Sequence, residues 1–292
     1  MKILLWHVHG SWTNAFVRGG HEYLIPGPPN GIGLAGRDWP AAREVAASEV
    51  DADIAVLQRP EEVGWVPTGV PVVYLEHNTP KYPNQTHPLK DWPGTIVHVT
   101  HFNDLMWDCG TTRTVVIEHG VVDPGPLYTG ELPRAAVVVN DPVRRGRAVG
   151  TDLLPRFAEA APLDVYGMKT EKLGAMGRGD HDLTSLHREL ALRRLYVHPV
   201  RWTSLGLSLI EAMHLGMPVV ALACTEVVRA VPPEAGVVST DVDELVRAAA
   251  ELVADPALAR QKGKHAREFA LARYGLDTFL RSWDQLLTGV SG

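Results

Sequence analysis

Cysteine is scarce in this sequence: Cys109 and Cys224 are the only two, and they stand far apart. Such a pair offers no Cys-x-x-Cys spacing and no disulfide framework, so both thiols are expected to be reduced. Positive charge is in deficit as well. Lys and Arg total 28 against 34 Asp and Glu, a formal net charge of -6. General nucleic-acid binders draw affinity from neutralising phosphates, so this balance argues against nucleic acid as a partner. Nor does it supply any global attraction to anionic lipid. Apolar residues never run for the roughly 18 positions needed to cross a bilayer, so no transmembrane segment is expected. The opening stretch Met1–Val8 holds one Lys and an apolar run broken by His7. It is too short for a secretory signal and lacks a small-residue cleavage site. The expected location is therefore cytoplasmic.

What is present is ordinary for a globular chain: 45% hydrophobic and 21% charged residues over a length of 292. That length suffices for one large domain or two of ordinary size. Short β-branched runs alternate with helical or looped stretches, the pattern of βα units on a parallel sheet. Strands are expected at Ile3–Val8, Asp53–Gln58, Val70–Leu75, Thr95–Thr100 and Thr114–Glu118, with a helix over Ala41–Val50 and an irregular loop over Gly27–Pro40. Turn residues at Asp123–Pro126 and Gly130–Pro133 then interrupt the pattern. A second series of strands is expected at Ala135–Asn140, Leu163–Tyr166, Leu195–His198, Pro218–Leu222 and Gly236–Val238. From Asp241 to Leu287 the composition is helical, broken at Tyr274-Gly275 before a final amphipathic helix, Asp277–Leu287. The fold class read from this is α/β: a Rossmann-like domain over 1–128 and a second over 132–275, each presenting strand carboxyl ends to a gap where ligands bind.

The segment richest in chemistry is Arg201–Leu222, RWTSLGLSLIEAMHLGMPVVAL. Thr203 and Ser204 suit a helix N-cap. Leu207, Ile210, Met213 and Leu215 carry helical apolar spacing, and Gly216 then Pro218 mark a stop followed by a strand. Glu211 emerges beside that apolar stripe. A carboxylate there needs donors, because an unpaired buried charge is costly, and a ribose diol supplies two hydroxyls at carboxylate spacing. The start of the same helix offers backbone N–H groups and the positive end of a dipole, a seat for a diphosphate. The plainer alternative is a well-capped helix whose Glu pairs with a nearby Arg.

These residues resemble the nucleotide-sugar motif of the retaining GT-B glycosyltransferases of the family-4 type, glycosyl transferases group 1. Gly206 and Leu207, then Glu211-Ala212-Met213, then Gly216-Met217-Pro218-Val219-Val220 carry the resemblance. It implies the GT-B fold, with two Rossmann-like domains across a cleft and residues 276–292 packing back on the first. It also implies a nucleoside-diphosphate-sugar donor, a small-molecule, glycan or lipid-linked acceptor, and retention of anomeric configuration. Glu211 falls on the second motif glutamate, which implies ribose recognition. Thr203 stands where the first glutamate belongs, a departure beside the transferred sugar. Residues 203–207, Thr203-Ser204-Leu205-Gly206-Leu207, fall on the donor-binding turn.

Elsewhere the resemblance is looser. In VVVNDPVRRG, residues 137–146, the family's Arg falls on Asn140 and its Lys on Arg145, so Arg145, Arg144 and Arg147 become candidates for the diphosphate. An Arg fork matches phosphate oxygens, although an exposed basic turn would read the same. Lys169 and Lys172 are weaker candidates of the same kind. His77 ends a strand where the family has a His near the donor sugar, and could donate to a sugar hydroxyl. His119 replaces the Asn of the family's Asn-Gly-Val-Asp. Gly19 and Gly20 resemble the glycine loop after the first strand, where backbone can approach a phosphate or acceptor closely. Thirteen histidines include His7 with His9 and His98 with His101, but no compact carboxylate or Cys set accompanies either pair, so no metal is expected. Leaving-group charge would be met by Arg145 and helix dipoles instead, and no cofactor beyond the co-substrate is implied. Two other readings stay open: a degenerate nucleotide-sugar-binding protein, favoured by Thr203 and Asn140, and a sugar-nucleotide epimerase on the same fold.

Overall fold

The computed structural model describes residues 1–46 and 50–291. The chain divides into two compact units: Met1–Val122 with Tyr274–Gly292, and Asp123–Arg273. Each is built on its own all-parallel sheet.

In the first unit the elements run β1 (Lys2–Leu5), α1 (Gly10–Phe16), β2 (Glu22–Pro26), β3 (Ala42–Val45), β4 (Ile54–Leu57), β5 (Val72–Glu76), β6 (Thr95–His98), α2 (His101–Met106) and β7 (Arg113–Val116). Sheet order is β3-β2-β1-β4-β5-β6-β7. Ile54–Leu57 is buried at every position, as the continuous apolar run of a strand covered on both faces requires. One face packs Ile3, Leu5, Ile25, Val56 and Leu75 against Trp12, Phe16, Phe279 and Trp283. Phe279 and Trp283 belong to the last helix. Gly120 permits that packing, since a Cβ there would stand 2.4 Å from the Phe279 ring.

Two local expectations fail. Ala42–Val45 is a strand, not part of a helix: β2 offers a free edge, and Tyr23↔Ala42 through Pro26↔Val45 pair in register. Sheet pairing overrides a helical composition over so short a stretch. The end of the expected helix, residues 47–49, lies outside the described residues. Before it, the stretch between the first expected strand and the irregular loop holds two elements, α1 and, past the Gly19-Gly20 turn, β2.

In the second unit come β8 (Leu132–Val138), α3 (Pro142–Arg145), α4 (Leu154–Ala160), β9 (Leu163–Tyr166), β10 (Gly177–Gly179), α5 (Leu183–Leu192), β11 (Arg193–His198), α6 (Leu207–Leu215), β12 (Val219–Leu222), α7 (Val227–Ala230), β13 (Gly236–Ser239), α8 (Val242–Ala254) and α9 (Pro256–Tyr274). The chain then ends in α10 (Leu276–Ser291). Sheet order is β10-β9-β8-β11-β12-β13. Val137, Val165, Leu195 and Val220 meet Phe157, Leu245 and Leu252 in one core.

Both sheets reverse their strand order once, at β1/β4 in the first unit and at β8/β11 in the second. At such a switch point, successive crossovers leave the sheet in opposite directions and a crevice opens beyond the strand carboxyl ends. Ligand-binding groups are expected at these two places.

Candidate functional site

At the β8/β11 switch, the loops after the two strands are clipped together. The backbone N–H groups of Arg201 and Trp202 both donate to the Ala148 carbonyl, at 2.9 and 3.1 Å. The Arg201 guanidinium adds bonds to Asp152, at 2.6 and 3.0 Å, and to the Arg147 carbonyl at 2.8 Å. Gly150, at φ +76°, lets the two loops touch, because a Cβ there would lie 2.0 Å from the Pro199 carbonyl. The Arg145 turn and the approach to α6 are thus neighbouring walls of one crevice.

α6 starts at Leu207, with Gly206 as an N-cap that makes no side-chain capping bond. This corrects the expectation that Thr203 or Ser204 caps the helix; both lie in the bend before it. Gly206 is needed for another reason. A Cβ at that position would stand 3.1 Å from His198 Cε1, so the turn presses onto a buried ring. Both His198 nitrogens are buried without a hydrogen-bond partner. Burial pushes its pKa down to about 4, leaving a neutral ring beneath the helix start. Gly216, in the left-handed region at φ 94°, ends the helix as expected.

Glu211 is buried, and its closest charge partner is His187 on α5, with Nε2 3.6 Å from Oε2. That distance is too long for a hydrogen bond, and His187 Nε2 is buried without a partner. The Arg pairing of the plainer reading does not occur. Tyr196 and Ser208, joined hydroxyl to hydroxyl at 3.0 Å, line the same helix face.

The basic turn separates into spent and unspent charge. Asp141 sits in the left-handed region at φ 50° and takes Arg144 Nε at 2.6 Å and Lys169 Nζ at 2.9 Å. Those two bonds, Arg144 first, hold the Asp141 carboxyl down at about 2. Arg147 pairs with Asp152 at 2.8 Å. Arg145 is half-buried and has no ion pair among the described residues. Its burial, followed by repulsion from Arg144, lowers its pKa. Asn140 is exposed, and its Oδ1 accepts from the Met168 N–H at 2.9 Å, so it braces the loop after β9. Lys172 is exposed.

The first unit gathers a different set. His77 follows β5, only 8% exposed, with Nε2 2.9 Å from Gln58 Oε1. Its ring lies 4.0 Å from that of His9 and 6.3 Å from that of His119. Burial, then His9 and His119, hold its pKa well below the usual histidine range. His119 is pushed down to about 4, mainly by burial. Gln58 and His9 are additions to the residues expected from sequence: glutamine carries no motif, and spacing alone pairs His9 with His7. The His7 ring turns away to the Gly33 carbonyl at 3.2 Å.

Gly19 and Gly20 do not join this set. α1 intervenes between them and β1, and they precede β2, which places them at the amino-terminal edge of the sheet. A Cβ on Gly19 would meet the Tyr23 hydroxyl at 2.5 Å and Leu280 at 3.5 Å, so this glycine serves packing against α10. His98 is buried near Cys109, while His101 is exposed, so that pair is split too. Among the described residues no group of His, Cys, Asp or Glu is arranged to hold a metal ion. Three Asp-x-Asp triplets do occur, at 51–53, 180–182 and 241–243, and each has local partners. Asp182 caps α5, accepting from the Ser185 N–H at 3.0 Å. Asp51 and Asp53 bind the side chain and the backbone N–H of Lys2, both at 2.7 Å. Asp241 caps α8, and Asp243 pairs with Arg156 at 2.5 Å. No helix among the described residues is long and apolar enough to cross a membrane.

Residues 155–255 match the family model described as Glycosyl transferases group 1. The sequence resemblance to that family is upheld, and the two parallel sheets form the GT-B fold. The chain is similar to the sucrose-phosphate synthase of Thermosynechococcus elongatus at 16% identity and TM-score 0.77, over 99% of this chain and 98% of the other. It is similar to Anabaena HepE in complex with UDP at 14% identity and TM-score 0.74, over 99% and 100%. S. aureus TarM, solved with UDP, matches at 17% identity and TM-score 0.64, over 80% of this chain and 55% of that longer one. No curated protein matches at the level of sequence.

Proposed function

We propose that the protein transfers a sugar from a nucleoside diphosphate to a hydroxyl acceptor, with retention of anomeric configuration and without a metal. The observation that carries this reading is Arg145: a half-buried guanidinium without an ion pair among the described residues, on a turn that Ala148 clips to the loop leading into α6, whose cap makes no side-chain bond. A diphosphate satisfies both at once. Glu211 and its distant His187 neighbour leave carboxylate oxygens for the ribose hydroxyls. As the glycosidic bond breaks, charge grows on the diphosphate, and Arg145 with the α6 dipole stabilises it more than the ground state. The group-1 resemblance supports the retaining course: attack on the same face, with the departing phosphate accepting the proton of the incoming hydroxyl. In this reading Thr203, Ser204, Leu205, Gly206 and Leu207 form the turn against the donor.

A binding protein without turnover is the second reading, favoured by Thr203 in place of a motif carboxylate. Nucleotide release from a panel of nucleotide-sugars, with and without hydroxyl acceptors, separates the two. Acceptor-dependent release supports transfer. Saturable binding without release or slow donor hydrolysis supports the binding protein.

A further inference from the structure

Gln58 follows β4 and is 5% exposed. Its side-chain nitrogen donates to the Trp6 carbonyl at 2.7 Å. Its side-chain oxygen lies 2.9 Å from His77 Nε2. A backbone carbonyl accepts and never donates, so the amide has one workable orientation, nitrogen toward Trp6 and oxygen toward His77. An amide oxygen also only accepts. The proton of that bond must therefore sit on His77 Nε2. The backbone of Gln58 is held in turn, since its N–H donates to Glu62 Oε2 at 2.7 Å. Trp6, Gln58 and His77 follow β1, β4 and β5, three strands adjacent in the sheet and straddling its switch point.

His77 is neutral in these surroundings, and a neutral imidazole carries one N–H. With Nε2 protonated and engaged, the nitrogen left for a ligand is Nδ1, which holds a lone pair. We infer that Gln58 is a positioning residue that locks His77 in the Nε2-protonated tautomer, so that Nδ1 accepts a hydrogen bond from a substrate hydroxyl. This reverses the donor role expected from sequence. The identity of that hydroxyl as a sugar's rests on the proposed transfer; the lock itself does not. An acceptor at this point favours ligands with a free hydroxyl and disfavours those carrying fluorine or an ether oxygen there, which cannot donate.

The test is two-bond proton–nitrogen correlation on the full chain with labelled histidine at neutral pH, assigned by comparison with His77→Gln. The expected pattern is a protonated Nε2 and a bare Nδ1 for His77. A protonated Nδ1 or an averaged pattern overturns the lock. Gln58→Leu, which removes both the donor to Trp6 and the acceptor for His77, should give mixed tautomers. Gln58→Leu should also lower kcat about tenfold with little change in donor KM. If Gln58→Leu does not fold, the wild-type spectrum still decides. A locked tautomer in a protein that transfers no sugar sustains the lock and sinks the proposed function. Active protein with an unlocked ring sinks the lock alone.

Discussion

Both units place loops at the carboxyl ends of parallel strands, yet the groups gathered there differ in kind. Beyond β1, β4, β5 and β7 of the first unit stand His9, Gln58, His77 and His119, with both His77 and His119 held neutral by burial. Beyond β8 and β11 of the second unit stand Arg145, the uncapped start of α6 and the carboxylate of Glu211. A neutral imidazole suits hydroxyls and cannot hold a diphosphate by charge. An unpaired guanidinium at a helix start suits a dianion. The same βα architecture thus provides two chemistries through the loop residues that cap its strands, and each can be broken separately.

Acid should act hardest on the first unit. His7, His9, His77, His98 and His119 all have pKa values lowered chiefly by burial, against His198 and His214 in the second unit. A histidine with a depressed folded pKa costs nothing above its unfolded value of about 6.5. Below that, the unfolded chain takes up protons that the folded chain refuses. Stability is therefore lost as pH falls from 6.5 toward about 4, where His98 and His119 finally titrate. Those two, both buried, each contribute on the order of 1–3 kcal/mol. Hydrogen exchange followed at falling pH should show the first unit losing protection before the second; the reverse order would void the comparison.

Arg145→Ala should lower kcat/KM about a hundredfold, the scale for removing one donor to developing charge. Both donor affinity and turnover should suffer, because the diphosphate is charged before reaction as well as during it. Arg144→Ala should cost much less, since that guanidinium is already bound to Asp141. Equal losses in the two variants, read by steady-state kinetics, would contradict the division into spent and unspent charge.

His77→Ala should reduce kcat roughly tenfold, with a smaller change in donor affinity. An affinity loss without a turnover loss would move His77 from the reaction to simple binding. The smallest expected effect is none. Excess chelator should leave turnover unchanged, and activity lost in EDTA but restored by magnesium or manganese would contradict the metal-free mechanism.

Much of the strand pattern is legible in composition, because buried parallel strands are mostly apolar; Leu163–Tyr166, apolar or aromatic but for Asp164, matches the observed β9 residue for residue. Ala42–Val45 is not, since its conformation is set by the edge of β2 rather than by its own residues. The start of α6 is misleading as text: Thr203 and Ser204 satisfy the capping rule in isolation, while in the fold the cap falls on Gly206, packed over His198. The two adjacent arginines are indistinguishable in sequence. Only the left-handed turn at Asp141 shows which of them is occupied. Gln58 has no signal at all, because its role is a pair of bonds to residues in two other loops.

The central claim is that the second unit holds a nucleoside diphosphate through Arg145, the α6 start and Glu211. Calorimetric titration of the intact protein and Glu211→Gln with a panel of nucleoside diphosphates tests it most directly. A glutamine keeps the size of the side chain but turns one acceptor into a donor, mismatching a diol. Saturable binding of at least one nucleotide, weakened by about 1–3 kcal/mol in the variant, is the predicted result. No binding across the panel, or equal affinity for both proteins, would contradict it.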